Sequence, residues 1–142
     1  MESGTDAGRR AERTAARYLT RRGWTLLATN WRGGGGEIDI VAVRRGVVAV
    51  CEVKARRDPS ARAEPVLARQ RERLVRAAEA FLARRSDLRG HEVRFDVITV
   101  APGRLRSRVR HLPGAFEPPG SYASGRGPPA GVSSLTGGAP AG

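Results

Sequence analysis

The stretch GEIDIVAVRRGVVAVCEVK, residues 36–54, decides how this chain folds. It holds two apolar, β-branched runs, EIDIVAV at 37–43 and VVAVCEVK at 47–54, with the turn candidate Arg45-Gly46 between them. Such a pattern predicts a β-hairpin. Side chains alternate along a strand, so Glu37, Asp39, Val41 and Val43 share one face, and Val48, Val50, Glu52 and Lys54 share one face of the next strand. A turn of two or four residues pairs Arg44 with Val47 or Val43 with Val48. Either register sets Asp39 opposite Glu52 and Glu37 opposite Lys54, whereas a three-residue loop with a bulge would shift the pairing by one. Cys51 then points to the opposite face, where it serves as a small core residue.

Two carboxylates opposed across a ladder repel by roughly 0.2–1 kcal/mol before any penalty for burial. Apolar neighbours raise that cost, and a divalent cation between the carboxylates removes it. Hard oxygen donors without nearby imidazole or thiolate select Mg²⁺ or Mn²⁺ rather than zinc. A cation there could polarise a phosphoryl oxygen and lower the pKa of a water molecule. Lys54, two residues beyond Glu52 on the same face, is suited to positioning that water or stabilising charge that develops on phosphorus. Of 26 basic residues it is the only lysine, which suggests a position that needs a compact ammonium. The bland alternative is an ordinary cross-strand charge cluster on a solvated face.

Outward from the hairpin, Gly8 to Arg22 reads as a helix, with Ala11, Ala15, Tyr18 and Leu19 at helical spacing and Gly23 as its stop. Trp24 to Trp31 reads as a strand. Glu64 to Arg85 is an amphipathic helix with Leu67, Leu74, Ala78 and Phe81 on one face. His91 to Ala101 is a strand, and Leu105 to Leu112 is a candidate for one more. The order α-β-β-β-α-β predicts an α/β fold, a mixed sheet flanked by helices. All 14 acidic residues lie at or before Glu117, and Gly, Pro, Ser and Ala dominate 118–142. A single domain over 1–117 followed by a disordered tail over 118–142 is therefore expected.

The net charge of +12 favours polyanions, above all nucleic acid. The exposed arginines of the second helix, Arg69, Arg73 and Arg76, are candidates for tracking phosphates. No apolar stretch approaches the length of a membrane span, and the N-terminal residues lack the apolar core of a secretory signal. The single cysteine, Cys51, excludes an internal disulfide and a thiolate zinc cluster and fits a reducing cytoplasm. Arg94 and Asp96 share a strand face and are expected to form a structural ion pair. His111 has no visible catalytic partner in the sequence.

From about Gly8 to Phe116 the chain also resembles the bacterial YraN-like proteins. GRRAERTAARYLTRRGW at 8–24, GEIDIVA at 36–42, VCEVKAR at 50–56, VRFDVITV at 93–100 and HLPGAF at 111–116 carry the resemblance. It implies the restriction-endonuclease-like fold of the PD-(D/E)XK nucleases, a metal held by Asp39 and Glu52, and a catalytic role for Lys54. It further implies that Glu12 of the first helix completes the site. Around 66–74 the family pattern V-T-x-x-K-Q-x-R-L stands here as VLARQRERL, so Gln70 occupies the place of the family's second lysine. Helical spacing puts Gln70 within the apolar stripe, either capped by a hydrogen bond or directed at the site.

Together these features predict a Mg²⁺- or Mn²⁺-dependent nuclease acting on DNA in preference to RNA, or on branched or structured nucleic acid. Asp39 and Glu52 would hold metal, Lys54 would assist the attacking water, and Glu37 and Glu12 would support. A homodimer or a repair or recombination partner is compatible with so small a domain. The rival expectations are a nucleic-acid-binding module without turnover and an interaction factor in a larger assembly.

Overall fold

A computed structural model describes residues 4–57 and 68–117 of the 142. The tail expected over 118–142 and the segment Glu64–Leu67 lie outside the described residues. The elements are α1 (Gly4–Arg21), β1 (Thr25–Gly33), β2 (Gly36–Arg44), β3 (Val47–Ala55), α2 (Ala68–Ala83), β4 (Glu92–Ala101) and β5 (Arg108–Leu112), with a short 3₁₀ turn at Ser86–Leu88. They form the expected α/β architecture, one five-stranded mixed sheet flanked by helices, consistent with a restriction-endonuclease-like core. Strands run in the order β1-β2-β3-β4-β5, with β3 and β4 parallel and every other neighbour antiparallel.

The sheet separates two apolar layers. On one side Ala11, Ala15 and Leu19 of α1 pack on Ile40, Ala42, Ala49, Cys51, Ile98 and Val100. Alanines at a spacing of four let α1 approach the strands closely. On the other side Leu74, Ala77, Ala78 and Phe81 of α2 cover Val41, Val48, Val50, Val93 and Phe95. Cys51 is fully buried, as its place opposite Glu52 predicts. No described helix is long and apolar enough to cross a membrane.

Two tight turns fix the frame. Arg45 (φ 48°) and Gly46 (φ 78°) make a two-residue turn with both φ values positive, the kind whose twist matches that of the strands it joins. Arg44 therefore pairs with Val47, the register predicted for a two-residue turn. Gly34 and Gly35 make a similar turn between β1 and β2. A Cβ at Gly34 or Gly36 would overlap the carbonyl of Arg76 or Arg73, so α2 rests directly on this glycine turn.

The ends of two elements differ from expectation. Helix α1 begins at Gly4 rather than Gly8, with Asp6 in its first turn complementing the helix dipole. Strand β5 begins at Arg108 rather than Leu105. Pro102 has no N–H to donate to a ladder, and Gly103 lies where any side chain would overlap the Arg106 carbonyl, so 102–107 closes as a loop.

A buried carboxylate ties β4 and β5 together. Asp96 receives two bonds from Arg94 (2.9 and 3.0 Å), one with His111 Nε2 (2.7 Å) and one from the Gly114 N–H (3.0 Å). Burial alone would raise its carboxyl, but the bonds with His111, Arg94 and Gly114 hold it below the ordinary value of 3.8. The expected Arg94–Asp96 ion pair is present. His111, for which the sequence shows no catalytic partner, has a structural one, because strand pairing brings Asp96 to it from 15 residues away. Asp96→Ala strands Arg94 and His111 beside an apolar core, and urea titration at pH 7 is expected to show a loss of about 3–5 kcal/mol. Since the folded carboxyl is depressed, this contribution is complete above pH 4 and fades as acid protonates Asp96 below it.

Candidate active site

The ladder between β2 and β3 runs from Arg44↔Val47 to Ile40↔Cys51 and stops there. Asp39 and Glu52 occupy the next position of that register, where the strands part. A continued ladder would set Val53 against Ile38. Instead the Val53 N–H donates to Asp39 Oδ2 at 2.8 Å, so a side chain takes over from the backbone. Side-chain alternation breaks at the same point, since Ile38 joins the α2-side core and Ile40 the α1-side core.

Beyond the parting lies a cleft of about 640 Å³ whose lining includes Glu37, Asp39, Glu52, Gln70, Arg73 and Arg32. Asp39 is pushed up from 3.8 to about 7, first by burial and then by the negative charge of Glu52. Glu12 and Glu37 add smaller pushes in the same direction, and only the Val53 N–H opposes them. The fold thus gathers three carboxylates around one half-buried aspartate. Lys54 Nζ lies 3.1 Å from Glu52 Oε1, with both side chains largely enclosed.

Among the described residues no group of three or more His, Cys, Asp or Glu side chains forms a ready-made metal site. What the geometry offers is a pair of hard oxygen donors, Asp39 and Glu52, the first of them in surroundings that penalise its negative charge. That donor chemistry fits a divalent cation of the Mg²⁺ type completing its shell with water.

The residues singled out by sequence divide clearly. Asp39, Glu52, Glu37, Gln70 and Arg73 come together in the cleft. Glu12 reaches it electrostatically from α1, and Lys54 adjoins it through Glu52. Gln70 is exposed on α2 and faces the cleft, the second of its two expected placements. Arg69 and Arg76 are exposed on the same helix but do not line the cleft. The expected pairing of Glu37 with Lys54 is corrected. Because β2 and β3 separate before that point, Glu37 pairs across β1 with Arg32, at 3.7 Å. Arg32 escaped the sequence reading, although a two-residue turn at Gly34-Gly35 would have placed it opposite Glu37.

The chain matches the model described as "Uncharacterised protein family UPF0102" over residues 11–100. It is 46% identical over 110 residues to a UPF0102 protein of Rhodopseudomonas palustris, covering 78% of this chain and 82% of that one. A UPF0102 protein of Nitrobacter winogradskyi is 46% identical over 111 residues, covering 78% of this chain and 92% of the other. A third, from Caulobacter sp., is 46% identical over 110 residues, covering 78% and 77%.

The raised carboxyl of Asp39 has a thermodynamic signature. In the unfolded chain it loses its proton near 3.8 and in the folded chain near 7, so between these values the folded state holds more protons and stability falls as pH rises. Asp39→Asn removes that penalty. Without divalent metal, it is expected to be more stable than the parent by on the order of 2–4 kcal/mol at pH 8, with the advantage gone near pH 4. Melting curves across that range test this, and a difference independent of pH would show that Asp39 is not desolvated.

Proposed function

The chain belongs to the UPF0102 family, the YraN family that its motifs resemble, and we propose that it is a metal-dependent nuclease that hydrolyses phosphodiester bonds in DNA or structured nucleic acid. The observation that carries this reading is the placement of two mutually repelling carboxylates, Asp39 and Glu52, beside the chain's only lysine in an open cleft. Asp39 and Glu52 would hold a divalent cation, Mg²⁺ or Mn²⁺, whose contribution there is to polarise a phosphoryl oxygen and ease deprotonation of water.

The remaining steps fall to the chain's own groups. Lys54, held against Glu52, donates from Nζ to the attacking water and then to the oxygens that gain charge as the P–O bond breaks. Glu12 and Glu37 add negative potential that strengthens cation affinity. Arg73 and Gln70, projecting from α2 into the cleft, supply donors for the phosphate being cut, and Arg69 and Arg76 extend the basic face along the same helix. A net charge of +12 draws a polyanion to this surface and makes binding steeply salt-dependent. Buried Cys51 as the one thiol accords with work in a reducing cytoplasm, alone, as a homodimer, or beside repair or recombination proteins.

A second reading, a nucleic-acid-binding module without turnover, draws support from Gln70 in the place of a family lysine and from the lack, among the described residues, of three ligating side chains close enough to share one ion. The two are separated by incubating the protein with duplex, flap, four-way junction and single-stranded substrates. Cleavage is expected with Mg²⁺ or Mn²⁺ and abolished by chelation, with Asp39→Ala and Lys54→Ala reduced by about 100-fold or more. Cleavage undiminished in both variants would defeat the assignment. In parallel, Mg²⁺ is expected to raise the melting temperature of the parent at pH 8 and to leave Asp39→Asn unmoved.

A further inference from the structure

Leu105 is 97% exposed, the one large hydrophobic side chain so exposed among the described residues. A single apolar side chain in water needs no explanation by itself. Its position sets this one apart. The parallel pairing of Lys54 with Thr99 and Ala55 with Val100 puts the C-terminal ends of β3 and β4 together, so the β4–β5 loop at 102–107 projects from the same end of the sheet as Glu52 and Lys54. Arg56, just past β3, donates its N–H to the Val100 carbonyl at 2.8 Å and fastens the two ends.

The register leads from Lys54, beside the cleft, toward the loop. Partners in a ladder point to the same side of a sheet. Lys54 pairs with Thr99 and Thr99 with Arg110, so these three form one row across the strands. Val109 packs in the α1-side layer and His111 meets Tyr18 of α1 edge-on. Arg108 and Arg110 therefore lie on the opposite face, that of Glu52 and Lys54. Two strand spacings separate Lys54 from Arg110, roughly 10 Å. Beyond Arg108, Arg106 and Arg104 flank Leu105, and no acidic residue occurs between Pro102 and His111. All four of these arginines are exposed. The close approach of Gly103 to the Arg106 carbonyl gives the loop a built shape that presents Leu105 outward.

We propose that the β4–β5 loop is a wedge for nucleic acid at the point where a duplex opens, with Leu105 packing on an unstacked base and Arg104, Arg106, Arg108 and Arg110 holding the flanking phosphates. Charge without acids selects a polyanion. A flat basic surface would suffice for paired duplex, which hides its base faces, whereas an apolar side chain between cations finds a partner only where a base face is bare. Leucine is among the residues that serve as such wedges. The substrate class is therefore forked or branched nucleic acid, bound so that the backbone beyond the opening runs along the row to Lys54. This deepens the nuclease reading of the cleft by naming what the cleft would receive.

The test is binding, which does not depend on turnover. Fluorescence anisotropy in metal-free buffer compares the full chain with Leu105→Ala and with Arg104→Ala/Arg106→Ala on a forked duplex and a blunt duplex of equal length. The parent is expected to prefer the fork by about tenfold, and Leu105→Ala to lose that preference while binding blunt duplex and melting as the parent does. The double arginine variant is expected to weaken on both and to show a shallower salt dependence. Fork preference unchanged in Leu105→Ala overturns the wedge. So does Leu105-dependent binding to phosphatidylglycerol vesicles in place of forked DNA. Failure of the parent to bind any nucleic acid overturns both the wedge and the nuclease reading. Leu105-dependent fork binding with no cleavage under any divalent metal supports the wedge and overturns the nuclease reading alone.

Discussion

The two-residue turn at Arg45-Gly46 is the constraint on which the rest of the molecule depends. With both residues at positive φ it closes the hairpin on Arg44↔Val47 and so sets each later pair between β2 and β3. Because side chains alternate, one register decision assigns every residue of β3 to a layer. Val48 and Val50 go to the α2 side, and Ala49 and Cys51 to the α1 side. A slip of one residue would drive Glu52 into the layer under α1 and turn Cys51 toward the cleft. The apolar cost of that exchange is what holds Asp39 and Glu52 side by side.

Holding them there sets burial against charge. Asp39 sits where water is too scarce to solvate it well and where Glu52 repels it, so its carboxyl moves to about 7. The chain does not relieve this by moving the aspartate outward. It ends the ladder at Ile40↔Cys51 and gives Asp39 the Val53 N–H, which fixes the side chain and offsets only part of the penalty on its charge. The fold accepts a local cost in stability to hold Asp39 in that position. Lys54 is paired with Glu52 at 3.1 Å. The glycine turn at 34–35 contributes from the other side, letting α2 settle low enough to bring Gln70 and Arg73 over the same opening.

Much of this was legible in the order of residues alone. The β-branched runs, the Arg-Gly turn and the period of two place Asp39 beside Glu52 without any coordinates, and helical spacing finds the buried faces of α1 and α2. The features that escaped share a physical origin. Where a ladder ends is decided by side chains competing with backbone for a donor, as Asp39 does for Val53, and periodicity carries no mark of it. Periodicity alone therefore matches Glu37 to Lys54, whereas its partner is Arg32. The His111–Asp96 contact depends on β5 folding back along β4, a tertiary event that no local pattern encodes. Strand β5 itself began late because Pro102 and the close contact at Gly103 favour a loop over three more residues of ladder.

Strand β5 also lies at one margin of the sheet, with β1 at the other. Such margins carry unpaired backbone groups that can recruit a strand from another copy and seed aggregation. On β1 the register shift between Leu26 and Ala28 interrupts the regular edge that a docking strand would need. On β5 the arginines at 108 and 110 would meet their own kind in any like-to-like pairing. The arginine charge therefore guards this flank against polymerising with itself, and neutralising that charge would lift the guard.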